Sequence, residues 1–213
     1  MGNCKFQIDR LSDLPDKVRL MFEAVTEMIA EHADIASLKV SDITARAGIG
    51  KGTAYEYFSS KEELITMALV YDYSLKIREL KILLDQETKF ENKIYGILDW
   101  FHEKSCYHMT FVRMMQIISG SQNLYLSLKS NIPEDVLEKM HTFILENVDA
   151  IMELGCTEQV FTETDVMKRR MALASMMFQF FMTLGKKTED SYVIMDYDKL
   201  RLYAYETLVK TLN

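Results

Sequence analysis

The sequence predicts an all-α chain: a small N-terminal part of three short helices, joined through a long fourth helix to a larger C-terminal helical part. Three observations point there. Only 2 prolines and 8 glycines punctuate 213 residues, fewer than the turns of a β-rich chain of this length require. Apolar residues recur at spacings of three and four, and no stretch alternates apolar with polar as a half-buried strand would. Short helical patterns crowd the N-terminal part, whereas the rest reads as long helices. Apolar residues make up 48% and charged residues 27% of the chain, a balance that supports a core and argues against disorder.

The first helix begins after Pro15. Val18, Phe22, Val25 and Ile29 share one face, and Asp13 and Asp16 suit the positive end of the helix dipole. In the second helix Val40, Ile43 and Ala47 repeat at three and four, and Gly48 ends it. The third runs from Lys51 to Phe58. Ser60-x-x-Glu63 is a capping box that opens the fourth, whose apolar face continues through Leu64, Ala68, Tyr71 and Leu75 toward Leu84. The spacing then predicts helices over 89–109, 110–126, 133–154, 164–186 and 197–212. Pro133 suits a first turn, Gly155 and Gly185 suit C-terminal stops, and Asp196 suits a cap.

Charge and cysteine usage narrow the function classes. The net charge is −7, and residues 1–64 carry 8 basic and 11 acidic side chains. That balance argues against a protein that coats nucleic acid non-specifically. It leaves a local patch open, because salt confines charge effects to roughly 10 Å. Cys4, Cys106 and Cys156 are odd in number and widely spaced, which fits a reduced, cytoplasmic protein. His102 and His108 are six apart, the wrong spacing for a shared helical metal face, so no metal is expected. The start MGNCKFQ offers Gly2 and Cys4, but Phe6 stands where N-myristoylation wants Ser or Thr, and no secretory leader is expected. Met171–Leu184 is apolar but shorter than the roughly 20 residues of a membrane span, so it reads as a buried helix of a bundle or dimer.

The glycines of "AGIGKGTAYEYF" (47–58) raise two readings. A nucleotide-binding loop needs G-x-x-x-x-G-K-[ST] after a strand, but Ala45 holds the first glycine position and Gly52 follows Lys51. G-x-G-x-x-G fails at Thr53. No nucleophile elbow and no H-E-x-x-H occurs, so an enzyme is not expected, nor a cofactor. A helix-turn-helix fits. Gly48 can take the left-handed conformation of a tight turn, and Ile49 can plug the crossing beside Ile43 and Ala47. Gly50 can stand at the next N-cap. Small residues at Gly52, Thr53 and Ala54 let the helix start approach a groove, and Tyr55, Tyr57, Lys51 and Lys61 offer donors to phosphate oxygens.

The stretch "VSDITARAGIGKGTAYEYFSSKEELI" (40–65) resembles the DNA-binding segment of the TetR family of bacterial transcriptional regulators. The Ala-Gly turn, the Tyr-x-Tyr-Phe and the Lys-Glu occur together at the family's spacing, and the resemblance extends back over the first helix. Beyond it the chain matches only in being helical. The resemblance implies a helix-turn-helix DNA-binding domain over 1–62 and a helical effector-binding and dimerisation domain over 63–213. It implies that Ser41 and Thr44 touch DNA from the second helix, that Lys51, Gly52 and Thr53 face base edges, and that Tyr55, Tyr57 and Lys61 contact phosphates. Lys39 stands where the family often has a capping Thr, and Gly50 where it usually has Ser. Glu56 stands where other members carry a contacting aromatic or polar residue. A carboxylate there would repel phosphate or accept from a cytosine amino group.

The larger part would then hold sensor and dimer surfaces. Trp100, His102, Tyr107, Phe111, Met114, Met115, Tyr125 and Phe143 are candidates for an effector pocket, though for any one of them simple packing is the favoured account. Met171, Ala174, Phe178 and Phe181, with Leu202, Tyr205 and Val209, are candidates for the dimer interface. The implied function is regulation, by family habit repression, from a pseudo-palindromic double-stranded DNA operator. The partners are a second copy and a small, largely apolar effector that shifts the fourth helix, with no membrane involved. The competing class is a helical protein-interaction adaptor that binds no specific DNA.

Overall fold

The computed structural model describes residues 14–31, 35–103, 130, 132, 134–184 and 196–213. All regular structure among them is helical: α1 (Asp16–Ala30), α2 (Val40–Arg46), α3 (Lys51–Tyr57), α4 (Lys61–Gln86), α5 (Phe90–Glu103), α6 (Glu134–Thr157), α7 (Val166–Leu184) and α8 (Tyr197–Thr211). Among the described residues no helix is long and apolar enough to cross a membrane. The chain divides into two compact units. Described residues up to Glu79 and from Ser130 to Lys139 belong to the first, and Leu80–Glu103, Met140–Leu184 and 196–213 to the second.

In the first unit, α1, α2 and α3 close over one apolar cluster. Val18, Met21, Phe22, Val25 and Ile29 of α1 meet Val40 and Ile43 of α2, Ala54 of α3, Phe58, and Leu64, Ile65 and Ala68 from the start of α4. The α1 stripe is the one its spacing predicts, with Met21 and Ala24 filling the adjacent positions. Phe22 stands 5.7 Å from Phe58 and 5.4 Å from Tyr71, ring to ring. Outside this cluster Arg46, in the last turn of α2, grips Glu31 just past α1 with two bonds of 2.7 and 2.5 Å. That bond holds the Glu31 carboxyl below the ordinary glutamate range.

The opening of α4 varies on the predicted capping box. The Ser60 hydroxyl accepts from the Glu63 N–H at 3.0 Å, as expected. The Glu63 carboxylate reaches back not to Ser60 but to Ser59, accepting from its N–H and its hydroxyl at 2.6 Å each. One more orphan donor is thereby satisfied at the corner between α3 and α4.

In the second unit, α5, α7 and α8 pack around Phe90, Ile94, Leu98, Met152, Phe161, Met176, Phe180 and Leu208. The α5 N-terminus is capped from a distance, since the Glu158 carboxylate accepts from the Phe90 N–H at 3.0 Å. Asp196 caps α8 as its sequence predicts, accepting from the Asp198 N–H.

Gly155 corrects one sequence expectation. It does not stop α6, which runs two residues further to Thr157. The left-handed position belongs to Gln159, at φ 58°. Around it the N–H groups of Gln159 and Val160 close on the carbonyls of Cys156 and Gly155 at 3.0 Å each. Gly155 is needed for packing instead. A Cβ there would collide with the Phe161 ring, 2.8 Å from Cζ, and stand 2.9 Å from Cδ2 of Phe90. Pro133, Gly185, the 110–126 helix, Cys4 and Cys106 lie outside the described residues.

Candidate nucleic-acid interface

The turn between α2 and α3 is built from main-chain bonds. Gly48 sits at φ +67°, in the left-handed region. Its N–H donates to the Ala45 carbonyl at 3.2 Å, and the Ile49 N–H donates to the Thr44 carbonyl at 2.8 Å. These two bonds consume carbonyls that the end of α2 would otherwise leave open. Ala47 and Ile49 pack on the cluster beside Ile43, so the crossing is plugged as the sequence predicts. Gly50 is the N-cap of α3 and offers no side-chain cap. Lys39 holds the same place for α2, also without a side-chain cap.

The predicted DNA-facing residues divide by exposure. Lys51, Gly52 and Tyr55 are exposed, Tyr55 to 54%. Ser41 is exposed and donates to the Asp42 carboxylate at 3.1 Å. Thr53 and Tyr57 are half-buried, Tyr57 packing against the cluster. Lys61 is half-buried, and its ammonium donates to the Ala36 carbonyl at 3.0 Å. Thr44 departs from expectation. It is 2% exposed, and its hydroxyl donates to the carbonyls of Val40 and Ser41 at 2.9 and 3.2 Å. Its side chain lies on the core face, where it offers nothing to a surface.

Of the predicted sensor residues, Tyr107, Phe111, Met114, Met115 and Tyr125 lie outside the described residues. Trp100 is buried against Phe101, ring centroids 4.9 Å apart. Its indole N–H has no acceptor among the described residues. Phe143 is half-buried on α6. His102 stacks on Tyr197 at 3.6 Å. A polar network that sequence reasoning missed surrounds that stack. The Tyr197 hydroxyl donates to Asp99 at 2.6 Å, and Arg201 donates to the same carboxylate at 2.9 Å while lying 3.9 Å over the Tyr95 ring. Burial and the Asp99 carboxylate push the Tyr197 phenol far above its ordinary range. Only the α8 position of Arg201, one turn beyond Tyr197, hints at this cluster in the sequence.

The predicted dimer residues also divide. Met171 and Phe178 on α7 are 63% and 56% exposed, and Ala174 between them is exposed. Met167 and Met182 extend the same stripe. Leu202 on α8 is exposed as well. Phe181 is not on that surface: it is buried on the flank of α7, its ring 4.7 Å from Phe101. Tyr205 stacks inward on Tyr95 at 5.1 Å, and Val209 is half-buried.

Known proteins match this arrangement. Residues 24–67 match the model of the bacterial regulatory proteins, tetR family. No curated protein matches the chain. Three solved structures share its fold. The transcriptional regulator FadR of Bacillus subtilis, in complex with stearoyl-CoA, is 18% identical with a TM-score of 0.64 over 92% of this chain and 99% of that one. FadR of Bacillus halodurans, a fatty acid degradation regulator, is 18% identical with a TM-score of 0.66 over 92% and 96%. A protein assigned as a transcriptional regulator of Saccharomonospora viridis, in complex with choline, is 14% identical with a TM-score of 0.61 over 89% and 93%. At these identities the structural likeness speaks for the fold. The matched segment spans α1 from Ala24, the α2–turn–α3 unit and the first turns of α4, which decides against the adaptor reading. Residues 24–67 are thus similar to the DNA-binding segment of the bacterial regulatory proteins of the tetR family, and the chain shares the fold of solved transcriptional regulators.

Proposed function

We propose that the chain acts as a homodimeric repressor. Two copies set their α3 helices into successive major grooves of a pseudo-palindromic operator, and a small, largely apolar effector in the larger helical part releases them. One observation carries this reading: the apolar stripe of Met167, Met171, Ala174, Phe178 and Met182 along α7, which the protomer leaves uncovered. Monomers rarely leave a contiguous apolar surface to water. A single short reading helix contacts too few bases to be specific, and two-fold pairing supplies a second one about 34 Å away. Leu202 adjoins the proposed interface, while Phe181, Tyr205 and Val209 support it from within.

At the operator, Ser41, Lys51, Gly52, Thr53 and Tyr55 supply the DNA contacts, with Tyr57 and Lys61 at the phosphates. Lys61 reaches DNA by exchanging the Ala36 carbonyl for a phosphate oxygen. Thr44 positions α2 instead of touching DNA. Residues 1–62 carry DNA binding and residues 63–213 carry the effector and dimer functions, with the first turns of α4 completing the core of the reading head. Such a protein works in the cytoplasm, beside its DNA.

The effector pocket is assigned to Trp100, His102, Tyr107, Phe111, Met114, Met115, Tyr125 and Phe143. The ligands of the two relatives differ, stearoyl-CoA in one and choline in the other. The apolar and methionine side chains of that set favour a long acyl chain as the first class to test. Displacement of α4 by the effector turns the reading helices out of register, with a coupling of about 1–3 kcal/mol.

Sedimentation and operator titration test both halves. A dimer is expected in solution and on the operator, and a long-chain acyl-CoA should weaken operator binding roughly 5- to 150-fold. A monomer at micromolar concentration removes the dimer. Unchanged operator affinity across acyl-CoA, fatty acid, choline and other apolar ligands removes the effector.

A further inference from the structure

We infer that Glu56 reads a cytosine in each half of the operator. The exposed residues of α3 are Lys51, Gly52, Tyr55 and Glu56, while Ala54 and the following Phe58 are buried. Positions i, i+1, i+4 and i+5 form one strip, so Glu56 stands on the outward face of the reading helix, one turn beyond Gly52. Its carboxylate has no ion pair or hydrogen bond to any described residue. The same is true of the Lys51 ammonium. A Cβ built at Gly52 would meet nothing within 4 Å. One turn before Glu56 the strip is therefore bare backbone at Gly52, between the Lys51 and Tyr55 side chains, and the helix can approach the groove there closely enough for the Glu56 carboxylate to reach base edges.

A carboxylate only accepts hydrogen bonds. Next to phosphates it repels, so on this strip it is favourable only where DNA offers a donor. In the major groove those donors are the amino groups of cytosine and adenine. Adenine places its N7 acceptor beside the amino group, opposite the second carboxylate oxygen, and the two repel. Cytosine carries its amino group with no acceptor of its own in the groove. Guanine and thymine present acceptors, and thymine adds a methyl group. Cytosine is the base that this side chain accepts.

The inference rests on α3 as the reading helix and goes beyond it by naming a base. The full chain, Glu56→Gln and Glu56→Ala are each used to select duplexes from a randomised library. The selected operator is then tested with that cytosine changed to thymine in one half. The wild type should select a cytosine at a symmetry-related pair of positions and lose roughly 5- to 150-fold in affinity on the change to thymine. Both variants should lose that discrimination and keep the preferences at other positions, which also reports that they fold. Gln, which pairs with adenine through N6 and N7, should shift the preference toward adenine. Identical selected sequences for all three proteins overturn the inference. So does a uniform gain in affinity by the variants for every duplex, which would make Glu56 only a repeller of phosphate. A wild type that selects no sequence at all sinks the reading-helix assignment, and this inference with it.

Discussion

The Ile49 N–H reaches across Gly48 to the Thr44 carbonyl, 2.8 Å away, and this one bond fixes the exit of α2 and the aim of α3. It needs Gly48 at φ +67°, although a Cβ there would touch nothing. The cost of substitution is therefore one of backbone conformation alone. Gly48→Ala should destabilise the fold by about 1–2 kcal/mol, and Gly48→Asn by clearly less, because Asn tolerates the left-handed region. Denaturant unfolding of the three proteins reads the difference. Equal stability of Ala and Gly would mean the turn relaxes to another shape.

Gly52 tests the interface in the opposite direction. It lies in the first turn of α3 with open space beyond it, so nothing in the protein requires glycine. Gly52→Ala should raise stability by about 0.5–1 kcal/mol and lower operator affinity, since the added methyl group keeps the helix off the groove. Thermal unfolding and operator titration on the same sample separate the two effects. A gain in stability with unchanged affinity would show that α3 does not press its backbone to DNA.

Gly155 predicts a purely structural penalty. Gly155→Ala places a methyl group against Phe161 and Phe90, two rings packed edge to face at 5.4 Å. Both rings sit in the core of the second unit, so neither can swing away freely. The variant should lose about 1–3 kcal/mol, measured by chemical denaturation.

The α7 stripe predicts an assembly effect. Phe178→Glu places a charge in the proposed interface and costs the protomer little, because the ring is more than half exposed. The variant should sediment as a folded monomer and bind the operator roughly 10²- to 10⁴-fold more weakly, as the second reading helix is no longer tethered. A dimer that persists would move the interface elsewhere.

Local patterns in the sequence made the reading head legible. The α1 stripe, the Gly48 turn, the Gly50 N-cap and the Ser60 cap all follow from residues a few positions apart. Thr44 was legible too, but its residue type misled. It sits four after Val40 and one after Ile43, on the buried face of α2, and its hydroxyl is satisfied by the helix itself. Gly155 was misread because local rules give an isolated glycine near a helix end one meaning, whereas here the cause is two distant phenyl rings. Phe181 fits the periodicity of the α7 stripe, but at the flank of a helix the period leaves open which side claims a ring, and Phe101 decides it. The Asp99–Tyr197–Arg201 network joins residues about a hundred positions apart, a distance no local pattern spans.

The charges of the reading head set how this protein finds its target. Arg46 is committed to Glu31, Arg19 to Asp16 and Glu23, and Lys61 to a backbone carbonyl. Among the described residues of the head, that leaves Lys17, Lys39 and Lys51 as uncommitted cations. On the proposed reading Lys61 joins these three at the phosphates, and each cation that meets a phosphate adds about 0.9 to the salt slope of operator binding. The ionic strength at which the protein leaves its operator therefore reports how many of these side chains touch the duplex.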